Sequence, residues 1–151
     1  MEDTNSYLGL FFEPIRQYLQ DDAVSEILIN GPNQVFIELK GKLQPTEARF
    51  VSEPALKAAA VNVAKNVGRM LNEENPRLDA RLPDGSRVHA VIPPLARCGT
   101  VVAIRKFKKD KLKLDNLVRF GSITPEGAEI LKIIGRCRLN IVVSGGTGSG
   151  K

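Results

Sequence analysis

The sequence is poor in the residues that build disulfide, redox and metal sites. Its 151 residues include one histidine, His89, two cysteines, Cys98 and Cys137, two tyrosines and no tryptophan. Two cysteines fit a reducing compartment better than a disulfide framework. Because His89 has no ligand-type neighbour at a metal-binding spacing, we predict a strand residue there and no metal site.

Long hydrophobic runs are also missing. No apolar run reaches the roughly 18 residues that suggest a membrane-spanning helix. The N-terminal stretch MEDTNSYLGLFFEP carries acids where a secretory signal peptide carries lysine or arginine. We therefore expect a cytoplasmic protein. Apolar residues make up 42% of the chain, so a core is available, and the length suits one domain plus part of a second.

Charge is unevenly distributed along the chain. Residues 1–75 carry a net charge of −4 and residues 76–151 a net charge of +9. The basic half invites an anionic partner, which could be nucleotide phosphate, nucleic acid or an acidic membrane face. Composition alone does not choose among these three.

Apolar periodicity in the first half predicts helix, then strands, then helix. The first twenty residues have one apolar helical face, with a break at Pro14. Strands are predicted at residues 25–30 and 35–39 and around Leu43. The Ser52-Glu53-Pro54 sequence is typical of a helix start, and helical spacing continues to about Asn72.

Further strands follow Pro76. They are predicted at residues 78–82, 87–92 and 100–107, and the turn sequence at 83–86 joins the first two into a hairpin. This order of elements predicts an α+β fold with an antiparallel sheet rather than a series of βαβ units. A lysine-rich connector, a helix starting at Thr124 and an apolar strand at 140–143 complete the pattern.

The last seven residues match the P-loop pattern G-x-x-x-x-G-K. Its members are Gly145, Gly146, Thr147, Gly148, Ser149, Gly150 and Lys151. Glycines allow backbone N–H groups to encircle a phosphate chain, and the lysine supplies a point charge. A strand directly upstream is what such a loop requires. The alternative is a glycine-rich tail without that function.

Arginine is the second candidate for phosphate binding. Arg77, Arg81, Arg87, Arg97 and Arg105 lie between Pro76 and Phe107. The guanidinium group offers a fixed fork of donors that suits phosphate oxygens. Arg81 and Arg87 flank the predicted turn and Arg105 ends a strand. Ordinary surface positions suit Arg77 and Arg97 better.

Five segments in this order resemble the type II/type IV secretion ATPase superfamily, and within it the Tad/Flp-type pilus-assembly ATPases. They are SEILINGPNQVFIE, DARLPDGSRVHAVIPPLA, GTVVAIRKF, ITPEGAEILK and NIVVSGGTGSGK. The resemblance covers about residues 20–151. It implies a helical segment at 1–20, a PAS-like α+β domain at 21–107, a basic linker at 108–121 and the start of a P-loop ATPase domain at 122–151.

The resemblance also implies a function. Members of the family are hexameric ATPases at the cytoplasmic side of the inner membrane, where they work with membrane platform and secretion or pilus components. ATP and Mg²⁺ are the expected cofactors. Nucleotide lies between the two domains, and arginines of the N-terminal domain reach its phosphates. By motif position that role falls on Arg87 and Arg105, with Arg81 as a third candidate.

Two other functions fit the basic half of the chain. A nucleic-acid-directed NTPase would show tight, salt-sensitive DNA or RNA binding, but the lysine stretch at 106–113 has one aromatic, Phe107, and no stacking series. We therefore do not expect a nucleic-acid partner. A non-catalytic docking module for a membrane platform protein is the other reading, and it is compatible with a motor.

We expect that this 151-residue chain does not hydrolyse ATP by itself. The pattern needs a Ser or Thr after Lys151 to hold magnesium, and an acidic strand and a water-activating glutamate further on. A sensitive phosphate-release assay on the purified chain should give no turnover above background. Steady turnover by the isolated chain would contradict this prediction.

Overall fold

The computed structural model describes residues 4–107 and 113–146. The chain divides into two compact units, Met1–Lys108 and Lys109–Lys151, and each is considered by itself. The finer four-part division stays a prediction.

A six-stranded sheet forms the first unit, with all neighbouring strands antiparallel and the spatial order β3-β2-β1-β6-β5-β4. The strands are β1 (Val24–Asn30), β2 (Val35–Leu39), β3 (Lys42–Pro45), β4 (Arg77–Arg81), β5 (Arg87–Val91) and β6 (Val101–Arg105). The predicted α+β class, the antiparallel sheet and the β4–β5 hairpin are confirmed. His89 lies in β5, as expected.

Helices supply the other half of the core. They are α1 (Thr4–Phe11), α2 (Arg16–Gln20) and α3 (Glu53–Asn66), with a 3₁₀ turn at Glu13–Ile15 where Pro14 interrupts the helical run. Phe12 meets Phe50 edge to face at 6.1 Å. The fully buried side chains include Leu8, Ile15 and Leu19 from this region, Leu56 from α3, and Ile27 and Ile104 from the sheet.

Helix α3 ends earlier than its apolar spacing predicted. The helix stops at Asn66 rather than Asn72. Gly68 adopts a φ of +68°, and the N–H groups of Gly68 and Arg69 bond back to the carbonyls of Lys65 and Ala64. A left-handed glycine of this kind closes a helix whatever the spacing of later apolar residues. Met70, which continues the apolar helical spacing, is 69% exposed.

The start of α3 is tied to the start of β6. Ser52 caps the helix by accepting a hydrogen bond from the Ala55 N–H. The next residue, Glu53, accepts two more, from the N–H and the hydroxyl of Thr100 at 2.7 and 2.6 Å. Thr100 is fully buried, so these bonds satisfy polar groups that water cannot reach.

The β4–β5 turn holds the chain where it leaves β6. Ser86 is buried, and its hydroxyl accepts a hydrogen bond from the Phe107 N–H at 3.1 Å. Gly85 has a φ of +89°, and a Cβ at this position would lie 2.9 Å from the Phe107 ring. The ring therefore covers a turn that has room only for glycine.

Lys106 fastens the same exit segment to the end of α2. Its ammonium group donates to the carbonyls of Asp21 at 2.7 Å and Tyr18 at 3.3 Å. Cations are favoured at the C-terminal end of a helix, where carbonyls lack helical partners. Burial lowers the pKa of Lys106 from its ordinary value, while Asp22 and Asp21 act in the opposite direction.

Two short helices form the described part of the second unit. They are α4 (Leu114–Arg119), which lies in the segment predicted to be a linker, and α5 (Pro125–Arg136), which was predicted. Thr124 caps α5 by accepting from the Gly127 N–H. The apolar side chain of Ile130 in α5 is 56% exposed.

The predicted strand at 140–143 is wrong for this structure. Residues 139–146 form no strand and are exposed. A strand needs a neighbour to accept its backbone hydrogen bonds, and none of the six strands in the described residues pairs with residues 140–143. Apolar, β-branched residues alone do not supply that neighbour.

None of the helices in the described residues is both long enough and apolar enough to cross a lipid bilayer.

Replacing Gly85 with alanine should destabilise the first unit. We expect a loss of about 1–2 kcal/mol from left-handed strain and about 1 kcal/mol more from the collision with Phe107. Urea unfolding followed by tyrosine fluorescence reports on this unit, because both tyrosines, Tyr7 and Tyr18, precede β1.

Gly41→Ala is the matched control. Gly41 has a φ of +77° but no atom within 4 Å of an added Cβ, so its substitution should carry the strain without the collision. Equal losses at Gly85 and Gly41 would show that the Phe107 contact has no energetic weight.

Candidate functional site

Three arginines form one row across the sheet. In the antiparallel register Arg87 lies opposite Arg105 on β6 and opposite Arg81 on β4. Directly opposed residues in antiparallel strands have Cβ atoms about 5 Å apart. The structure therefore brings together all three arginines that the sequence singled out in the first unit.

The row is exposed because strand residues alternate between two faces. On β5, Val88 and Ala90 point into the core, so Arg87 and His89 face outward. On β6, Val102 and Ile104 are buried and Arg105 is exposed. Burial of the alternate apolar residues thus places the guanidinium groups on the opposite face, away from the helices.

Arg87 is paired with Asp79, which is the neighbour of Arg81 on the outer face of β4. Its Nε and Nη2 donate to the two carboxylate oxygens of Asp79 at 2.9 and 2.7 Å. Both side chains are well exposed, at 67% and 46%. This two-point hydrogen bond lowers the pKa of Asp79 from its ordinary value of 3.8, with smaller contributions from the charges of Arg87, His89 and Arg77, and it raises the pKa of Arg87.

Arg105 has a looser partner. Its Nη2 lies 3.6 Å from a carboxylate oxygen of Glu26, the residue opposite it on β1. The Arg105 side chain is 73% exposed and that of Glu26 is 22% exposed. A single contact of this length is an ion pair without a short hydrogen bond, so Arg105 is held less firmly than Arg87.

These side chains enclose a shallow pocket on the outer face of the sheet. Its volume is about 250 Å³, and its lining is Glu26, Asp79, Arg87, His89, Ala103 and Arg105. Arg81 lies on the edge strand beside a second groove that it shares with Asp79, Ala80 and Arg87. Ala103 leaves the pocket floor open because its side chain is small.

Besides Ala103, sequence reasoning missed the three other polar members of this pocket, Asp79, His89 and Glu26. Hairpin geometry could have found the first two. If Arg81 and Arg87 flank the turn as a pair, two steps outward along each strand place Asp79 opposite His89, which is the observed register. Glu26 could not be found in this way, since it depends on which strand lies beside β6.

The P-loop candidates are only partly described. Gly145 and Gly146 are exposed and lie in a segment without regular secondary structure. Thr147, Gly148, Ser149, Gly150 and Lys151 lie outside the described residues. The predicted phosphate-binding role of this segment therefore stays a prediction.

The chain matches the family described as type II/IV secretion system protein over residues 11–151. It belongs to that family. The match covers the whole sheet, including the three strands that carry the arginine row, and the P-loop pattern. The resemblance inferred from the sequence motifs is therefore confirmed at the level of the superfamily, while the Tad/Flp assignment stays a prediction.

Individual relatives of this type II/IV secretion family chain agree. A Mycobacterium tuberculosis protein whose name assigns it provisionally to conjugal transfer is 32% identical over 88% of this chain and 40% of its own length. The type IV secretion system protein VirB11 of Bartonella quintana is 30% identical over 92% of this chain and 49% of its own length. The chain thus spans less than half the length of either relative.

A solved structure shares the fold. The crystal structure of the VirB11 ATPase from the Brucella suis type IV secretion system, in complex with sulphate, superposes with a TM-score of 0.68. It is 24% identical, and the superposition covers 87% of this chain and 44% of that one. At this identity the comparison supports the arrangement of strands and helices.

Removing Arg87 should raise the pKa of Asp79 towards 3.8, since the hydrogen bond from Arg87 is the main cause of its lowering. A carboxyl-carbon NMR titration of Arg87→Ala measures this directly. The pair's small contribution to folding stability is present above the unfolded-state pKa and is lost as the pH falls through the lowered folded-state pKa.

Arg105→Ala provides the control for that titration. Arg105 is not among the groups that shift the pKa of Asp79, so the Asp79 titration should match the wild type. An unchanged Asp79 pKa in Arg87→Ala would mean that the two-point contact is not maintained in solution.

Proposed function

We propose that this chain is the N-terminal, nucleotide-gripping part of an ATP-hydrolysing secretion or pilus-assembly motor. The observation that carries the proposal is the cross-strand pairing of Arg87 with Arg105 on an exposed sheet face. In this role both guanidinium groups bind phosphate oxygens of the nucleotide, and Arg81 extends the row.

The chemistry of the row fits a phosphate chain. Each guanidinium presents several N–H donors in a fixed plane, suited to two-point binding of phosphate oxygens. Two such groups on neighbouring strands, about 5 Å apart, can bind different oxygens of one polyphosphate. The exposure of both arginines leaves them accessible to such a ligand.

ATP is the cofactor that this site would serve, with Mg²⁺ completing its binding in the full-length protein. When bound, ATP supplies the phosphoanhydride bond whose hydrolysis drives the motor. Gly145, Gly146, Thr147, Gly148, Ser149, Gly150 and Lys151 are the residues that would hold its phosphates. Arg87 and Arg105 add positive charge where negative charge develops in the transition state.

The finer biological assignment follows the family resemblance. We place the full-length protein in a homohexamer, peripheral at the cytoplasmic side of the inner membrane, where it contacts a membrane platform protein. The type IV secretion and conjugal-transfer names of the relatives favour transport or pilus assembly over a nucleic-acid-directed NTPase. The Tad/Flp subgroup rests on sequence motifs alone.

Substituting either arginine in the full-length protein should lower ATP turnover. For Arg105→Ala and Arg87→Ala we expect a loss of about 10- to 1,000-fold in kcat, as for other pre-organised donors that stabilise transition-state charge. Unfolding curves should stay close to the wild type, since both side chains are exposed. Steady-state phosphate release gives the rates.

Arg77→Ala is the matched control, because Arg77 is an exposed arginine of the edge strand β4 that does not line the pocket. Its turnover should equal that of the wild type. If Arg105→Ala and Arg87→Ala also retain full turnover, the phosphate-binding role of the row is wrong.

A further inference from the structure

Asp79 occupies one edge of the Arg87 guanidinium group with the two-point geometry that a phosphate group also uses. Nε and Nη2 lie on one edge of the guanidinium plane, and each donates to one oxygen of the same carboxylate. A phosphate group binds arginine with the same two-point geometry. A phosphate that binds at this edge therefore competes with the carboxylate for the same pair of donors.

We propose that Asp79 is a positioning residue: it holds Arg87 by hydrogen bonds when no phosphate is bound and releases it when phosphate binds. This rests on the proposed function of the arginine row. In the absence of nucleotide, the carboxylate holds the guanidinium group beside the neighbouring strand β4. It also offsets the repulsion between Arg87 and its two arginine neighbours in the row.

The difference between the two arginines supports this role. Arg87 makes two short hydrogen bonds to Asp79, whereas Arg105 makes one contact of 3.6 Å to Glu26. Arg105 therefore has less to give up when a phosphate arrives and engages first. Arg87 follows when its bond to Asp79 is exchanged for a bond to the ligand.

Both members of the pair are exposed, so the exchange is energetically easy. Water screens an ion pair at this surface, and such pairs contribute little net stability. The cost of breaking the pair is then a small reduction in phosphate affinity. The same exchange in reverse allows Asp79 to take Arg87 back as phosphate leaves.

Removing the Asp79 carboxylate should therefore tighten nucleotide binding. In the full-length protein we expect Asp79→Asn to bind ATP about two- to fivefold more tightly, which corresponds to the modest strength of an exposed ion pair. Binding is measured by equilibrium dialysis with EDTA present, so that no hydrolysis occurs. Inorganic phosphate should inhibit turnover by this variant more strongly than by the wild type.

The control variants separate competition from a general charge effect. Glu73→Gln removes the same charge from an exposed residue of the first unit that lies 4.0 Å from Lys57 and does not line the pocket; it should bind ATP like the wild type. In an Arg87→Ala background, Asp79→Asn should have no further effect, because the donors that Asp79 competes for are gone.

Each outcome decides the matter. If Asp79→Asn still tightens ATP binding in the Arg87→Ala background, Asp79 acts by through-space charge repulsion and the proposal is overturned. Weaker ATP binding by both Asp79→Asn and Asp79→Ser would show that Asp79 supports the site, and would also overturn it. If Arg87→Ala has wild-type turnover, the proposed function fails instead. Tighter ATP binding by Asp79→Asn that is lost in the Arg87→Ala background supports the exchange of Arg87 from Asp79 to phosphate.

Discussion

The register of four antiparallel strands is the constraint on which the rest of the site depends. In the order β1-β6-β5-β4, one line of opposed residues runs from Glu26 through Arg105 and Arg87 to Arg81. A slip of one residue in any pairing would turn an arginine into the core and an apolar residue outward. The site is therefore specified by the same pairing that builds the core.

The core is strong enough to impose an unfavourable arrangement of charge. Like charges directly opposite one another in a sheet cost roughly 0.2–1 kcal/mol per pair. Burial of one Val, Leu or Ile contributes about 1.5–3 kcal/mol, and Val88, Val102 and Ile104 are buried behind the arginine row. Burial of the hydrophobic face therefore determines the strand register, and it outweighs the repulsion between the arginines on the other face.

A sheet that follows the usual preferences of sequence and packing everywhere except at one place often has a functional site at that place. The arginine row breaks the rule against opposed like charges at two successive pairs. Asp79 and Glu26 relieve the repulsion only in part, since they supply two carboxylates for three guanidinium groups. A surface selected for stability alone would alternate the signs.

The sequence predicted those features that depend on neighbours along the chain. The turn at 83–86 specified the β4–β5 hairpin and hence the proximity of Arg81 and Arg87. Local patterns also predicted the α+β fold with its antiparallel sheet and the helix starts at Ser52 and Thr124. The family followed from short sequence motifs.

Features that depend on distant parts of the chain were not predicted. The place of β6 between β1 and β5 brings Glu26 to Arg105, and no local pattern indicates it. The expected strand at 140–143 failed for the same reason, because its apolar residues need a partner strand. The early end of α3 is a local feature that the sequence could have indicated through Gly68. The prediction followed instead the apolar spacing that continues beyond this glycine.

The arginine row and the end of β6 share the same few residues, which links the positions of the arginines to the path of the chain. Arg87 follows directly after Ser86, whose hydroxyl holds the Phe107 N–H, and Arg105 lies two residues before Phe107. Lys106, between them, bonds to the end of α2. A shift of β5 or β6 on anion binding would act on these contacts through one or two residues, because packed strands transmit small displacements instead of absorbing them. Lys106 and Phe107 are therefore directly coupled to the positions of Arg87 and Arg105.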